Sequence, residues 1–312
     1  MKIAILDDYQ NIALKMADWS LIPGNPEIKV FNDHVVEFEK LVQRLLPYDI
    51  LCVMRERTPM TAELIERLPN LKLIASTGSR NASIDTEATN RRGITVLHTN
   101  YESAPTIEFT WSLILAIVRN ITIENRSLRD RGWQTAVGGD LKGKTLGVLG
   151  LGRVGAPVAA IGKAFGMDII AWSPNMTIEK AEKAGARFVS KEELFRQSDI
   201  LSVHIVLSQS TNGIVGEADL DLMKPTAYLI NTSRGPLVDE NALIRALKNK
   251  KIGGAAIDVF DVEPLPANHP FRSLPNVLAT PHLGYGSKSL YEIFYKDSVE
   301  NIRKWSLENT GH

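Results

Sequence analysis

Three glycines with fixed spacing separate an apolar run from a helix-like stretch in the middle of this 312-residue chain. The run covers 146–151, the glycines are Gly150, Gly152 and Gly155, and a second apolar run follows at 169–172. The first glycine permits a tight turn, the second lets backbone approach a phosphate, and the third lets helix and strand pack closely. This pattern predicts a dinucleotide site at the helix N-terminus, with a tight turn that binds no ligand as the alternative.

Short apolar runs alternate with amphipathic segments along the whole chain, which is typical of parallel βαβ units. Helix starts are predicted where Thr61 can cap and where Ser190 and Glu193 form a capping box before 191–197. The apolar runs predict a first series of strands at Lys2–Leu6, Ile28–Phe31, Ile50–Met54, Leu71–Ser76 and Ile94–Leu97. They predict a second series at 145–150, 168–172, 187–189, 199–206, 226–232, 253–259 and 276–280.

The two series of strands predict an α/β chain of two doubly wound domains. Between them, Ser103 can cap a helix that Pro105 suits as a first-turn residue. The body of this helix, 109–118, is apolar on all sides, so we expect it to be buried. The stretch 121–142 that follows is rich in charge, and we expect it to project as an arm.

Composition excludes several classes of protein. Lys plus Arg equals Asp plus Glu at 36 each, which argues against nucleic acid or an anionic membrane as the main partner. The single cysteine, Cys52, cannot form an internal disulfide and lies in a predicted strand, so we expect an inert core thiol and a reducing compartment. Nothing resembles an export signal, and the longest uncharged apolar stretch is too short to cross a bilayer. We therefore expect a cytoplasmic protein.

Three polar motifs follow apolar runs, where the carboxyl ends of parallel strands gather ligands. Arg234 in INTSRGP has a planar guanidinium that suits a carboxylate, with a surface salt bridge as the alternative. Asp258 and Glu263 lie in AIDVFDVEP, where the proline favours an extended or turn conformation for Glu263. His282 lies in the Gly/Pro-rich TPHLGYG, although a lone histidine is more often structural than catalytic.

The four motifs GxGxxG, NTSRG, DVFxxEP and TPHLG occur in this order at Gly150, Asn231, Asp258 and Thr280. With them the chain resembles the D-isomer-specific 2-hydroxyacid dehydrogenases over nearly all its length, and most of all the phosphoglycerate dehydrogenase-like branch. We expect a discontinuous, flavodoxin-like substrate domain and a Rossmann dinucleotide-binding domain. The expected boundaries are 1–98 plus 286–312 for the substrate domain and 99–285 for the dinucleotide-binding domain.

The resemblance implies that Arg234, Glu263 and His282 are catalytic, and it implies no metal. When a hydride reaches the carbonyl carbon of a 2-keto acid, His282 would give the oxygen its proton. Glu263 would orient the imidazole and favour its protonated form, and Arg234 would bind the substrate carboxylate. The implied cofactor-binding residues, with Asp258 near the nicotinamide carboxamide, are Gly150, Gly152, Arg153, Val154, Gly155, Ser173, Pro174, Asn175, Leu207, Thr232, Asp258 and Gly284.

The resemblance also implies substrate-binding residues in the first domain. A Gly-x-Gly turn of the family corresponds to Gly78, Ser79 and Arg80, so that an arginine replaces the second glycine. Arg55 matches an arginine that lines the interdomain cleft of phosphoglycerate-type members. Arg57 would share the side of Arg55 in an extended segment, or would pair with a neighbouring acid instead. For the two acids after the first strand, at positions 7 and 8, we expect a solvated loop.

The cofactor preference depends on Ser173, which occupies the position where NAD-specific relatives carry Asp. That Asp accepts hydrogen bonds from the ribose and repels the 2′-phosphate of NADP. Ser173 removes the repulsion, Asn175 and Thr177 add donors, and Arg153 adds positive charge. No arginine follows Ser173 directly, so we expect NADP(H) to be favoured only slightly over NAD(H).

These observations predict an NAD(P)-dependent oxidoreductase that interconverts a 2-keto acid and a D-2-hydroxy acid. We expect a substrate of the glyoxylate, hydroxypyruvate or 3-phosphoglycerate type, a homodimer formed through the dinucleotide-binding domain, and neither nucleic acid nor membrane as a partner. Two alternatives remain: a dinucleotide-sensing adaptor, since a corepressor branch shares this fold, and a dehydrogenase of an inorganic oxyanion such as phosphite.

Overall fold

The computed structural model describes residues 1–309, and the chain divides into two compact units. Unit 1 comprises Met1–Glu102 and the segment from Ser287 onward, and unit 2 comprises Ser103–Gly286. The sequence predicts a substrate domain at 1–98 plus 286–312, whose residues 310–312 lie outside the described residues, and a dinucleotide-binding domain at 99–285. The assignment of these functions to the units stays a prediction.

Strands form at the apolar runs, and most are shorter than the runs. The run 199–206 gives a strand of four residues, because its last residues leave the ladder and turn at the carboxyl edge of the sheet. The strands of the described residues are β1 Lys2–Ile5, β2 Glu27–Val30, β3 Ile50–Val53, β4 Leu73–Ser76, β5 Thr95–His98, β6 Thr145–Leu149, β7 Asp168–Trp172, β8 Arg187–Phe188, β9 Ile200–Val203, β10 Tyr228–Asn231, β11 Gly254–Ile257 and β12 Val277–Ala279.

The α-helices lie between the strands, with short 3-10 helices at Trp19–Leu21, Gly235–Leu237 and Pro270–Arg272. The described α-helices are α1 Ala13–Met16, α2 Phe38–Leu45, α3 Ala62–Glu66, α4 Thr86–Arg91, α5 Ala104–Val118, α6 Ile121–Arg129, α7 Gly155–Ala164, α8 Ile178–Lys183, α9 Lys191–Gln197, α10 Glu217–Leu222, α11 Glu240–Lys248 and α12 Lys288–Asn309.

Two predicted helix caps are confirmed and one is wrong. Thr61 Oγ1 accepts a hydrogen bond from Leu64 N at 3.3 Å, and Ser190 and Glu193 form both bonds of a capping box at α9. Ser103 occupies the N-cap position of α5, but its φ of −90° and ψ of −12° are helical and its side chain makes no capping bond. The N-cap preference of serine needs an extended backbone, which this residue does not have.

Unit 1 contains a five-stranded parallel sheet in the order β2-β1-β3-β4-β5. This is the flavodoxin-like order, as predicted. Two of its inner strands, β3 and β4, are buried at every position, because helices cover both faces of a parallel sheet. Cys52 on β3 is 3% exposed and burial raises its pKa to about 12, so the prediction of an inert core thiol is confirmed.

Unit 2 contains a seven-stranded parallel sheet in the order β12-β11-β10-β9-β6-β7-β8. This is a Rossmann order extended by one strand, and the direction of strand order reverses between β6 and β9. Separate apolar cores cover the two faces of the sheet. Helix α5 packs against α7, β10 and β11, and Trp111 on it is 5% exposed with its ring 4.9 Å from that of Phe165. The predicted burial of this helix is confirmed along its inner face.

The stretch 121–142, which is predicted to project as an arm, begins with a helix. Helix α6 has no buried residue, and the chain after it remains exposed to Asp140, with Trp133 74% and Val137 97% exposed. Within residues 1–309 no single helix has the length and apolar composition of a membrane span; α5 and α6 meet those criteria only as a pair bent by 63°.

Candidate active site

The glycine turn lies at the carboxyl end of β6, where the strand order reverses. Gly150 has φ of +99°, and a Cβ there would lie 3.0 Å from the His204 backbone. A Cβ on Gly155 would overlap the Gly150 carbonyl oxygen, so only glycine lets α7 begin this close to β6. Gly152 is exposed, with open space where a Cβ would be. The turn thus leaves room for a phosphate at the N-terminus of α7, and the residues fit a dinucleotide.

Next to this turn lies a histidine that the sequence motifs do not include. His204 directly follows β9, and its Nε2 lies 2.8 Å from Ser202 Oγ. Desolvation lowers the pKa of His204 to about 4, so its imidazole is neutral at physiological pH. A neutral ring here adds no charge to the phosphate site. The only sequence signal for it is a histidine at the end of an apolar run.

The residues predicted to set the preference between NAD and NADP lie after β7. Ser173 follows β7 and is half-buried, whereas Pro174 and Asn175 are exposed. Thr177 is already used as the N-cap of α8, where its Oγ1 accepts a hydrogen bond from Lys180 N at 3.3 Å. Of the other predicted cofactor-binding residues, Arg153 is exposed and Val154 is half-buried in the glycine turn after β6, and Leu207 is exposed after β9.

The loop that carries Arg234 is braced from within. Asn231 is 1% exposed; its Nδ2 donates to the Arg234 carbonyl at 2.9 Å and its Oδ1 accepts from Ser233 N at 3.0 Å. A Cβ on Gly235 would overlap the backbone of Phe260. The arginine loop therefore touches the backbone of the loop that carries Glu263. Asn231 has no role in the sequence prediction, although it is the first residue of the NTSRG motif.

His282 and Glu263 form a direct pair, as predicted. His282 Nδ1 lies 2.6 Å from Glu263 Oε2, and Glu263 Oε1 accepts a hydrogen bond from Phe260 N at 2.9 Å. Burial by itself raises the pKa of Glu263, but the hydrogen bond and charge of His282, with a smaller effect of Arg234, bring that pKa below its ordinary value. The carboxylate form accepts the Nδ1 proton, so Nε2 is the nitrogen that remains for a ligand.

Asp258 follows β11 and is completely buried. Its carboxylate accepts hydrogen bonds from Thr280 Oγ1 at 2.6 Å, from Leu283 N at 2.8 Å and from Gly284 N at 2.7 Å. Burial raises the pKa of Asp258, although these three donors and the charge of His282 act in the opposite direction. Contact of this side chain with the cofactor stays a prediction.

Thr232, predicted to lie along the cofactor, is 7% exposed. Its Oγ1 is 2.8 Å from Thr110 Oγ1 on α5, and Thr110 Oγ1 also donates to the Thr106 carbonyl at 2.7 Å. The hydroxyl therefore joins the end of β10 to α5. Cofactor contact by Thr232 stays a prediction.

In unit 1, the prediction of a solvated loop after β1 is wrong. Asp7 and Asp8 are 2% and 1% exposed. The Asp7 carboxylate accepts a hydrogen bond from Thr58 Oγ1 at 2.6 Å and pairs with His34 Nδ1 at 2.9 Å. The Asp8 carboxylate accepts backbone N–H groups at the start of α1, at 2.9 Å. Both acids are stable inside because distant residues and a helix end replace their water.

The predicted extended segment around Arg55 is also wrong. Arg55 has φ of 51°, and Arg57 N donates to the Met54 carbonyl at 3.2 Å, which closes a turn. Arg57 Nη1 donates to the Asp7 carbonyl at 2.6 Å, and its guanidinium lies 4.5 Å from the ring centre of Tyr9. Arg57 is therefore held by the chain after β1, and the extended segment in which it would share the side of Arg55 does not form. Its pairing with a neighbouring acid stays a prediction.

Arg55 lies against the turn that begins at Gly78. Gly78 has φ of +85°, a conformation that favours glycine, and a Cβ there would overlap the present position of the Arg55 guanidinium. The guanidinium also lies 5.3 Å from the ring centre of Tyr101, and its Nε lies 3.7 Å from Glu56 Oε2. These contacts fix the direction of Arg55 at the carboxyl edge of the unit 1 sheet.

The rest of this turn is open to solvent. The Gly78 N–H donates to Thr99 Oγ1 at 2.7 Å, so it is already occupied, while Ser79 and Arg80 are exposed. Among residues 1–309, no group of three or more His, Cys, Asp or Glu side chains is arranged to hold a metal ion.

A sheet of the Rossmann order with a glycine turn after its first strand defines a dinucleotide-binding protein, and the histidine–carboxylate pair at the same edge is suited to proton transfer. The model of the D-isomer specific 2-hydroxyacid dehydrogenase NAD binding domain matches residues 111–284. The chain belongs to this family; it binds NAD(H) and is an oxidoreductase.

Relatives and solved structures of the same family extend the match to nearly the whole chain. Glyoxylate reductase of Aeropyrum pernix is 43% identical over 250 residues, which are 77% of this chain and 75% of that one. D-3-phosphoglycerate dehydrogenase of Methanocaldococcus jannaschii is 38% identical over 270 residues, which are 85% of this chain. The matched region spans about half (51%) of that longer relative. The crystal structure of phosphoglycerate oxidoreductase from Vibrio cholerae is 41% identical and covers 99% of both chains with a TM-score of 0.94.

Proposed function

We propose that this protein interconverts a 2-keto acid and a D-2-hydroxy acid. The observation that carries the proposal is the 2.6 Å pair of His282 Nδ1 and Glu263 Oε2 in a unit that also has a dinucleotide turn. The bound nicotinamide would supply or accept the hydride at the substrate carbon. His282 Nε2 gives its proton to the carbonyl oxygen during reduction and takes it back during oxidation.

The other residues of the proposed site bind and polarise the substrate. Arg234 binds the carboxylate through two parallel N–H bonds and draws electron density from the neighbouring carbonyl. Glu263 keeps the proton of His282 on Nδ1 in the resting state and stabilises the imidazolium that donates from Nε2. The backbone of Gly150, Gly152 and Gly155 holds the cofactor phosphates.

A panel of keto acids tests this function. Purified protein is assayed for oxidation of NADH and NADPH with glyoxylate, hydroxypyruvate, hydroxypyruvate phosphate, pyruvate and phenylpyruvate. We expect turnover with at least one of the two-carbon or three-carbon acids, since the relatives are named glyoxylate reductase and D-3-phosphoglycerate dehydrogenase. Cofactor binding without turnover of any keto acid would contradict the proposal in favour of a dinucleotide-sensing adaptor.

We propose that the substrate carries a second anionic group, which the turn at Gly78 to Arg80 binds. Arg80 is exposed and adds a cation to a turn against which Arg55 already lies. Arg80→Gly should weaken kcat/KM for hydroxypyruvate phosphate about tenfold, the value of one charge-assisted hydrogen bond, and should change kcat/KM for glyoxylate little.

Arg80→Lys is the matched control for this prediction, because it keeps the positive charge and should keep most of the preference for the phosphorylated acid. Steady-state kinetics on both substrates with all three proteins give the comparison. Equal losses on glyoxylate and hydroxypyruvate phosphate would mean that Arg80 maintains the turn and does not select the substrate.

We also propose that NADPH is accepted and slightly preferred. Ser173 brings no negative charge toward a 2′-phosphate, while Asn175 is exposed beside it as a donor and Arg153 is exposed in the glycine turn. Ser173→Asp should reverse the preference by about tenfold or more, chiefly through the KM for NADPH, since one charge-assisted hydrogen bond is worth about 1.4 kcal/mol or more.

Ser173→Ala separates the two effects of this substitution, because it removes the hydroxyl without adding charge. If repulsion between the introduced carboxylate and the 2′-phosphate explains the effect of Ser173→Asp, the Ser173→Ala variant keeps the wild-type preference between NADPH and NADH. A wild-type kcat/KM at least about ten times higher for NADH than for NADPH, which is 1.4 kcal/mol in the opposite direction, would contradict this interpretation of the loop.

We propose a homodimer formed through unit 2. The support is the exposed apolar surface of α6 and the chain after it, where Trp133 and Val137 are 74% and 97% exposed and Leu128 is 58% exposed. Sedimentation equilibrium of the whole chain measures the association. The cytoplasmic location and the absence of nucleic-acid or membrane partners stay predictions.

A further inference from the structure

Two neighbouring strands of unit 1 are each followed by a residue in the left-handed region of backbone conformation. β1 pairs with β3 in parallel, so both strands end at the carboxyl edge of the sheet. Asp7, after β1, has φ of 56°, and Arg55, after β3, has φ of 51°. Residues with a side chain adopt this region rarely, and they keep it only when the surrounding structure determines it. The contacts of Asp7 and Arg55 therefore control how this edge is arranged.

Asp7 connects the chain after β1 to the far end of the loop 55–58. Its Oδ2 accepts a hydrogen bond from Thr58 Oγ1 at 2.6 Å, and its backbone carbonyl accepts one from Arg57 Nη1, also at 2.6 Å. Asp7 Oδ1 lies 2.9 Å from His34 Nδ1. Asp7 and Thr58 are 2% and 3% exposed, so water competes little for these bonds. One buried residue thus holds two successive residues of the loop.

The beginning of the same loop is attached to β4 and to the chain that follows it. Arg55 N donates to Thr77 Oγ1 at 2.9 Å, and Asn81 Nδ2 donates to the Arg55 carbonyl at 2.7 Å. The Arg55 guanidinium lies against Gly78. Its position therefore depends on both ends of the loop, and Asp7 provides the attachment at the end that is farther from Gly78.

We propose that Asp7 is a positioning residue, which holds the loop 55–58 so that Arg55 and the turn at Gly78 to Arg80 together bind the second anionic group of the substrate. This inference rests on the proposed function, in which the substrate carries such a group. Asp7 acts through the loop, since its carboxylate is already paired with Thr58 and His34. A carboxylate suits this role, because a hydroxyl makes a shorter and stronger hydrogen bond to a charged acceptor than to a neutral one.

Thr58→Val tests the role, because it removes the hydroxyl that Asp7 binds and changes the volume of the side chain little. We expect the KM for hydroxypyruvate phosphate to rise about tenfold, the value of one hydrogen bond to a charged group, at unchanged kcat and cofactor KM. The KM for glyoxylate should change little, since glyoxylate has no second anionic group. Thr58→Ser keeps the hydroxyl and should keep the wild-type KM. A folded Thr58→Val variant with the wild-type KM for hydroxypyruvate phosphate, or with equal rises for both substrates, overturns the proposal.

Asp7→Asn separates the position of the loop from the charge of the acid. Loss of a negative charge at this edge would by itself strengthen the binding of a phosphate, whereas a weaker acceptor for Thr58 should weaken it. We expect the KM for hydroxypyruvate phosphate to rise about threefold, because a charged acceptor is replaced by a neutral one. A fall in this KM overturns the proposal.

Asp8→Asn is the matched control, because it removes the same charge from the next residue along the chain. The Asp8 carboxylate accepts the N–H groups of Ile12 and Ala13 at the start of α1, so it holds a helix and not the loop 55–58. The KM for hydroxypyruvate phosphate should not rise in this variant. A rise equal to that of Asp7→Asn would show a general disturbance of the edge and overturns the proposal.

A double variant shows whether the effect passes through Arg55. In an Arg55→Gln background, Thr58→Val should raise the KM for hydroxypyruvate phosphate little further, and rises that multiply overturn the positioning role. A wild-type KM in Arg55→Gln also overturns it and leaves the proposed function intact, whereas turnover of no keto acid by the wild type overturns both. Thermal unfolding shows whether each variant is folded; if Thr58→Val is not, the direction of the KM change in Asp7→Asn decides.

Discussion

His282→Gln is expected to lower kcat at least about 100-fold, because general acid catalysis by a positioned side chain contributes roughly 10²–10⁴-fold. Glutamine has a comparable size and can still form a hydrogen bond to Glu263, but it cannot deliver a proton to the carbonyl oxygen. Cofactor affinity should change little, since in the proposed function His282 acts on the substrate and not on the cofactor. Steady-state kcat with the most active keto acid, and fluorescence titration with NADPH, give the two measurements.

The chain offers a matched control for this substitution. His269 Nε2 lies 2.9 Å from Glu240 Oε1, which makes a second, comparably buried histidine–glutamate pair in unit 2. His269 Nδ1 accepts from Phe271 N, so this imidazole has a structural role. His269→Gln should keep most of the wild-type kcat. Near wild-type kcat of His282→Gln on every active keto acid would show that another group donates the proton.

Arg234→Lys is expected to lower kcat/KM for the keto acid about 10- to 100-fold, the range of a hydrogen bond between charged groups. Lysine keeps the positive charge but lacks the planar fork that makes two parallel bonds to a carboxylate. The loss should appear in both KM and kcat, because in the proposed function the same guanidinium binds the substrate and polarises the carbonyl. The affinity for NADPH alone should remain close to that of the wild type.

Arg245→Lys is the control for this substitution. Arg245 forms an exposed pair with Glu217 at 3.1 Å, and an exposed pair contributes little to stability. Its replacement should leave kcat/KM unchanged. Unaltered kcat/KM in Arg234→Lys for every active substrate would mean that the carboxylate is bound elsewhere.

The sequence predicts the order of the elements and the type of both sheets. Each of these predictions depends on local patterns: short apolar runs, amphipathic segments between them, and glycines that only a tight strand-to-helix turn requires. The resemblance to the D-isomer-specific 2-hydroxyacid dehydrogenases implies the pair of His282 and Glu263 as well, and both residues belong to motifs that follow strands. Parallel strands bring these ends to one edge, whatever the distance along the chain.

Other features depend on partners that no local pattern specifies. Asp7 is buried because Thr58 and His34, from other segments of unit 1, supply its hydrogen bonds. Arg57 binds the Asp7 carbonyl because a left-handed residue before it closes a turn, where the sequence alone favours an extended strand end. Charged residues at the end of a strand give the same sequence pattern whether their side chains are exposed to solvent or buried in the protein.

The sequence by itself therefore determined the fold class, the dinucleotide turn and the residues able to carry the chemistry. Only the tertiary structure decided which atoms those residues use: Nδ1 of His282 on Glu263, both oxygens of Asp258 on the loop around His282, and a neutral His204 beside the glycine turn. The physical reason is that the two kinds of interaction act over different distances along the chain. Backbone preference and apolar periodicity act over a few residues, whereas burial, hydrogen-bond pairing and the pKa of a side chain depend on groups that folding brings together from distant segments.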